Sequence, residues 1–410
     1  MHVKGGFGLL SAGIVALAHV APSTHAAESM DRLETIPAFA RQYGVSCSLC
    51  HQPAPRLTDF GEQFAANGFR LALDEEPVDT LDTGDDQLQL MADIPLAIRL
   101  DAYLAGTTRD ESPSVDLQTP WTIKLLSGGR VSEKVSYYLY FFMSERGEVA
   151  GLEDAIVQFS DLGGSGVDVV VGQFQVSDPL FKRELRLQYE DYQPYRVRVG
   201  DASADLTYDR GIMAGFSPWS EADLSLQVVN GQGLRESGPG RSYDTDDGKA
   251  AALRFSQSFG AVRLGAFGYY GVETAQGIDN EIRMFGPDVS VFLGPTLEFN
   301  GQYLRRLDDQ PFFEPFGLTD TDVDMGFAEL VWSPRGAFGQ WFFTALYNHI
   351  EADAPIFTIR QGEAGLLDSY RSAALGGNYM MARNLRLTTE VQYDLDREDA
   401  RFIIGFMSAF

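Results

Sequence analysis

From about residue 92 onward, apolar and polar side chains alternate with period two. "DIPLAIRLDAYLAG" sets Ile94, Leu96, Ile98, Leu100 and Leu104 on one face and Arg99, Asp101 and Tyr103 on the other. "ADLSLQVV" opposes Leu224, Leu226 and Val228 to Ser225 and Gln227, and "TLEFNGQY" opposes Leu297, Phe299 and Tyr303 to Glu298, Asn300 and Gln302. "NLRLTTEVQYD" opposes Leu385, Leu387, Val391 and Tyr393 to Arg386, Glu390, Gln392 and Asp394. "RFIIGFMSAF" keeps Phe402, Ile404, Phe406 and Phe410 in phase. Alternation over about ten residues is the pattern of a transmembrane β-barrel.

Sixteen strands are predicted, beginning near residues 93, 118, 134, 150, 166, 206, 221, 248, 261, 280, 295, 322, 339, 369, 384 and 399. The links alternate in length. "SGGR", "DLGGSG", "SPWS", "SFG", "LGP", "SPRGAFG" and "MARN" read as tight turns. Between them fall long polar loops such as "NGQGLRESGPGRSYDTDDG", "LDDQPFFEPFGLTDTDVD" and "EADAPIFTIRQGEAGLLD". Outer-membrane barrels pair short periplasmic turns with long outer loops in this way. A soluble β-sandwich or propeller is the competing reading. It does not require the alternating loop lengths, the terminal phenylalanine and an export signal together.

Residues 1–26 supply that signal: an apolar run, "FGLLSAGIVALAHVA", then "STHA" before "AESM", with cleavage expected after Ala26. The run is shorter than the roughly 20 apolar residues of a spanning helix. Of the five histidines, only His51 and His349 lie beyond it. Histidine-cluster metal chemistry is therefore nearly excluded. The net charge of -26 argues against nucleic acid and anionic membrane surfaces as partners.

The only two cysteines stand in "SCSLCHQ", as C-x-x-C-H. This is the attachment spacing of c-type haem. Cys47 and Cys50 can add to the two porphyrin vinyl groups, and His51 then becomes the proximal ligand and the haem-iron metal site. A redox dithiol and a chance match compete with this reading; a zinc site would need a second cysteine pair. His349 falls at the far end of a predicted strand, so Met30 and Met91 are the candidates for the second axial position; the competing reading is two ordinary methionines and an iron that is five-coordinate or bound to an unexpected group. A helix is predicted over Asp59–Ala66, with Asp59 and Glu62 as a capping box and Asn67-Gly68 as its stop. Phe60 and Phe64, at i and i+4, either cover the porphyrin or fill a small core. "DEEPVDTLDTGDD" reads as a solvated linker.

The run "PAFARQYGVSCSLCH…PRLTDFGEQFAANGFRL", followed by a barrel of about sixteen strands, resembles the fused outer-membrane cytochrome–porins, which include iron oxidases. The resemblance is specific over residues 36–71 and architectural beyond residue 93. It implies a monohaem segment plugging a porin-like barrel and passing electrons from outside to periplasmic carriers. The expected organisation is a signal over 1–26, a monohaem cytochrome c segment over 27–85 and an outer-membrane barrel over 86–410. The iron oxidases tend to close the run with a basic residue; here it closes as "FAANGF".

Two functions from different classes follow. One is an electron conduit with one covalent haem c, whose partners are outer-membrane lipid, periplasmic electron carriers and an extracellular donor such as Fe(II). The other is a diffusion porin for small anions with a structural or regulatory haem plug. Acidic stretches at 244–247, 308–309 and 320–324 would make an outer mouth that concentrates cations. "DPLFKRELRLQYEDYQPYRVRVGD" instead carries Lys182, Arg183, Arg186, Arg196 and Arg198, and resembles the loop region of phosphate-selective porins. Its basic residues either narrow the lumen or face acidic lumen residues.

Overall fold

The computed structural model describes residues 38–71, 80–81, 83–85, 88, 90–91, 95–109, 114–145, 147–315, 317–359 and 365–410. The signal region and Met30 lie outside these residues, as does the side chain of Met91.

Sixteen antiparallel strands form one closed barrel. They are β1 Leu96–Thr107, β2 Val115–Ser132, β3 Val135–Glu145, β4 Gly151–Phe159, β5 Asp168–Gln175, β6 Tyr208–Phe216, β7 Ala222–Val229 and β8 Ala250–Phe259. The others are β9 Val262–Ala275, β10 Ile278–Leu293, β11 Leu297–Asp308, β12 Thr321–Trp332, β13 Trp341–Ala352, β14 Ser369–Ala382, β15 Leu385–Asp394 and β16 Asp399–Ala409. Each pairs with its sequence neighbour, and β16 returns to β1, from Arg401↔Thr107 to Ala409↔Arg99. Every strand begins within three residues of its expected position.

The alternation sorts side chains between lipid and lumen. Leu104, Leu226, Val228, Val391, Phe402 and Ile404 are exposed on the outside, while Asp101, Gln227, Asn300, Gln302, Arg386 and Glu390 are buried within. Backbone groups inside a bilayer need partners, which closure supplies without leaving an edge. Near the short-turn end, Trp332, Phe343, Trp341 and Tyr379 form an outward aromatic chain with centroid spacings of 5.2, 6.0 and 4.7 Å. Such a girdle at the membrane–water boundary, with an apolar band beside it, marks an outer-membrane barrel.

Turns follow the expected asymmetry, with two departures. Gly260, at φ +62°, closes the two-residue turn between β8 and β9. "SGGR" is not a turn; it lies inside β2, and the chain reverses at Glu133-Lys134. A Cβ at Gly128 would press on the Tyr138 ring and meet the Phe39 ring, so the glycine clears space on the inner face. At the long-loop end, the β9–β10 link is only Gln276-Gly277, both at positive φ, the geometry of a type I′ hairpin.

The link between β5 and β6, residues 176–207, folds into the lumen. Tyr192 stacks on Phe327 of β12 at 4.4 Å, and Phe181 meets the same ring at 5.4 Å. Val197–Val199 pairs antiparallel with Phe357–Ile359 of the β13–β14 loop. Arg306 of β11 is fully buried; it bonds both oxygens of Asp308, at 2.7 and 2.9 Å, and the Val197 and Ala204 carbonyls, at 3.0 and 2.8 Å. One arginine thus ties the inward loop to the wall.

Candidate functional site

The C-x-x-C-H stretch lies in a small helical segment made of α1 Ala38–Tyr43, α2 Cys47–Cys50 and α3 Asp59–Ala66. Three residues apart on one helical turn, Cys47 and Cys50 fall on the same side. Both are free thiols, half-buried. Burial pushes both thiols upward, the reverse of what a reactive redox dithiol requires.

The helix stops at His51, which is extended at φ −125°, ψ 143°. "QPAPR" then makes a tight return in which Gln52 N–H donates to the Arg56 carbonyl and Thr58 N–H to the Cys50 carbonyl, both at 2.9 Å. This return places the Pro55 carbonyl 3.2 Å from His51 Nδ1. A proton held on Nδ1 leaves Nε2 unprotonated, the tautomer a metal-ligating imidazole would need. Burial lowers the His51 pKa, opposed by the Pro55 and Arg56 backbone, which favours the neutral imidazole.

Helix α3 keeps its expected bounds but not its expected cap. Thr58 is the N-cap, accepting from Gly61 N–H at 3.1 Å, and Asp59 is the first helical residue. Thr58 also donates to the Leu49 carbonyl at 2.7 Å, so one hydroxyl joins α2 to α3. A Cβ at Gly61 would overlap the Cys50 carbonyl oxygen, which makes glycine necessary at this crossing. Phe64 is buried against Phe39, Tyr43 and Phe69 at 5.2, 5.6 and 6.0 Å. Phe60 instead is exposed to a cavity. The i, i+4 pair therefore divides, one ring serving the core and the other a cavity.

The segment sits in the short-turn mouth of the barrel. Arg56 reaches Glu298 of β11 at 2.5 Å and Glu329 of β12 at 3.3 Å. Gln158 of β4 donates to the Ala66 carbonyl at 2.5 Å, and Arg386 of β15 to the Ala54 carbonyl at 3.2 Å. Arg70 bonds the Glu133 carbonyl, and Phe69 packs on Tyr138 of β3 at 5.5 Å. Strands from opposite sides of the wall thus grip one plug.

A cavity of about 830 Å³ separates the plug from the β10–β12 wall and the inward loop, lined by Ser46, Leu49, Phe60, Phe181 and Tyr192 among others. Cys47, Cys50 and His51 are not in its wall. Burial raises the Cys47 thiol, and Arg383, in the β14–β15 turn, works against that rise. The donor set fits a c-type haem: two free thiols one turn apart and an imidazole oriented through Nδ1.

The basic loop residues both narrow the lumen and pair chiefly with acids of their own loop. Arg183 and Arg196 bond Asp191, and Arg186 lies 3.7 Å from it. Lys182 bridges Asp178 and Asp154 at 3.1 and 3.3 Å, Arg198 meets Asp205 at 2.9 Å, and Lys124 of β2 meets Glu184 at 2.5 Å. Burial opposes ionisation of Asp191, but the three guanidinium groups outweigh it and hold the carboxyl far below the usual range. Beyond the loop, β1–β3, β15 and β16 enclose a second cavity of about 460 Å³.

The outer acids are less available than the sequence suggests. Asp308 points inward to Arg306, Asp309 pairs with Arg283 at 3.0 Å, Asp244 with Lys249 at 2.5 Å, and Asp322 with Arg305. His349 points outward on β13, 3.5 Å from Glu351 and remote from the plug. The docking residues Arg56 and Glu329 were not anticipated from sequence. The available signal was an arginine in the plug and an acid on an inward-phased strand.

No family model and no curated protein matches the chain. Solved outer-membrane channels share its fold. An anion-selective porin from Comamonas acidovorans superposes with a TM-score of 0.55 at 11% identity, covering 78% of this chain and 99% of that one. A loop-deletion mutant of OmpT from Vibrio cholerae gives 0.54 at 12%, with 78% and 99% covered. The channel DcaP of Acinetobacter baumannii gives 0.52 at 10%, with 78% and 97% covered.

Proposed function

We propose that this outer-membrane barrel carries one covalently attached haem c on its plug and passes electrons from an extracellular donor toward periplasmic carriers. The observation that carries this reading is the docking of the C-x-x-C-H segment in the lumen mouth through Arg56, Glu298 and Glu329. A bound haem supplies a one-electron centre. Cys47 and Cys50 would hold it, His51 would offer Nε2, and the Pro55 carbonyl fixes the ring. Arg56 keeps the assembly inside the barrel, where lipid otherwise insulates the two compartments.

A haem stain of denatured full-length protein tests the attachment. Covalent staining is expected, and its loss in the Cys47→Ala, Cys50→Ala double variant; a native protein without stain refutes the reading. Reduction of the Soret-absorbing species by added Fe(II) then tests the donor. The second reading, a small-anion diffusion porin, draws support from the porin fold with an anion-selective structural neighbour and from Arg386, a lumen base with no carboxylate partner among the described residues. Deleting residues 27–85 separates the two. A conduit should conduct ions only once unplugged, whereas a porin should conduct them in both forms.

A further inference from the structure

We propose that Arg386, with Arg99 and Arg186 beside it, forms a carboxylate-binding site at the inner end of the lumen, beneath Ala54 of the plug. Arg386 projects inward from β15 and is only 2% exposed. Among the described residues its single hydrogen bond runs from Nη1 to the Ala54 carbonyl, its buried Nε has no partner, and no carboxylate lies within ion-pair distance. Around it the lumen follows a different rule: Arg99 is held by Asp101 at 2.7 Å, Lys124 by Glu184 at 2.5 Å and Arg401 by Glu190 at 2.6 Å. The charges that act on Arg386 include Arg99 and Arg186, each facing an acid of its own, Asp101 and Asp191, so neither supplies it with a counter-ion.

A buried, unmatched guanidinium is destabilising, and a planar bidentate acceptor relieves it best. Arg386 also lines the 460 Å³ cavity, large enough for a small carboxylate. Two sources offer the same chemistry. One is a propionate of a haem held at Cys47, Cys50 and His51; this source rests on the proposed attachment. The other is a free small carboxylate entering through the lumen.

Calorimetric titration of detergent-solubilised full-length protein with succinate tests the site. The species compared are the wild type, the haem-free Cys47→Ala, Cys50→Ala variant, and each with Arg386→Gln. Uptake by the haem-free variant alone, lost with Arg386→Gln, assigns the site to a propionate. Uptake by the wild type, weakened about tenfold or more by Arg386→Gln, assigns it to free carboxylates. Should native protein prove to lack covalent haem, only this second arm applies, so the two readings fail separately. Heat-modifiable migration shows that each barrel is folded. If the glutamine variant is not, Arg386→Lys replaces it; a lysine keeps the charge without the fork and should bind several-fold more weakly. Succinate uptake that is absent throughout, or indifferent to residue 386, overturns the site.

Discussion

Arg56 of the plug lies 3.3 Å from Glu329 of β12, and Glu329 in turn accepts from Gln188 and Tyr192 of the inward loop at 2.7 and 2.8 Å. A single buried carboxylate therefore joins plug, wall and loop. Removing one partner of a buried pair leaves an uncompensated charge and costs about 3–5 kcal/mol. Arg56→Ala should loosen the plug while the barrel stays folded. Protease added at the periplasmic side should then cut near residue 56 in the variant and spare the wild type.

Gly61→Val tests the crossing of α2 and α3. The new side chain would overlap the Cys50 carbonyl, which already accepts from Thr58 N–H. The two helices must part, and the return that sets His51 against Pro55 goes with them. Haem staining should fall well below that of wild type at equal barrel yield. Undiminished staining would show that the crossing does not position the motif.

The sixteen strands were legible because each separates lipid from a polar interior, which forces period two. Gly128 and Gly129 misled because a glycine that makes room for Phe39 and Tyr138 looks in sequence like one that makes a turn. The capping box misled by one residue, since Thr58 and Asp59 are both good caps and only the former also reaches Leu49. Plug docking was illegible for a different reason. Arg56 and Glu329 are brought together only by barrel closure, and no local pattern records which inward acid a plug arginine will face.

Arg306→Ala should destabilise the inward loop. The variant leaves Asp308 buried without its cation and the Val197 and Ala204 carbonyls without their donor. A loss of about 3–5 kcal/mol is expected. Urea unfolding followed by heat-modifiable migration should show an earlier transition, and Arg306→Lys should recover only part of it because lysine lacks the fork.

Acid should leave the loop in place over a wide range. Burial would raise Glu184, but Lys124, Arg186 and Arg183 together hold it at about 2, and Asp191 is likewise depressed. A carboxylate whose folded pKa lies below its unfolded value, about 4, stabilises fully above that value and loses its contribution as pH falls through the folded pKa. Between pH 7 and about pH 4 the stretch held by Glu184 and Asp191 should therefore keep its protection from hydrogen exchange, although Asp178, raised to about 7 by burial, takes up its proton within that window. Asp191→Asn, which cannot hold three guanidinium groups, should lose that protection already at pH 7.

The barrel seam gives the last test. Strand β16 bonds β15 on one side, from Leu385↔Ser408 to Asp394↔Asp399, and β1 on the other. Phe410 continues the seam, since its N–H donates to the Ile98 carbonyl at 2.9 Å and its carbonyl accepts from Ile98 N–H at 2.7 Å. Deleting residues 402–410 removes most of β16 and leaves two facing edges in the bilayer, where each unpaired backbone group costs several kcal/mol. Strands β1 and β15 cannot simply pair in its place, because all other neighbours in the ring are antiparallel and both run in the same direction. The truncated chain should be degraded or aggregated, with no heat-modifiable band. Phe410→Ala, which keeps both seam hydrogen bonds and loses only an exposed ring, should assemble with reduced yield. A truncated chain that migrated like the intact one would mean that the seam is not what closes the barrel.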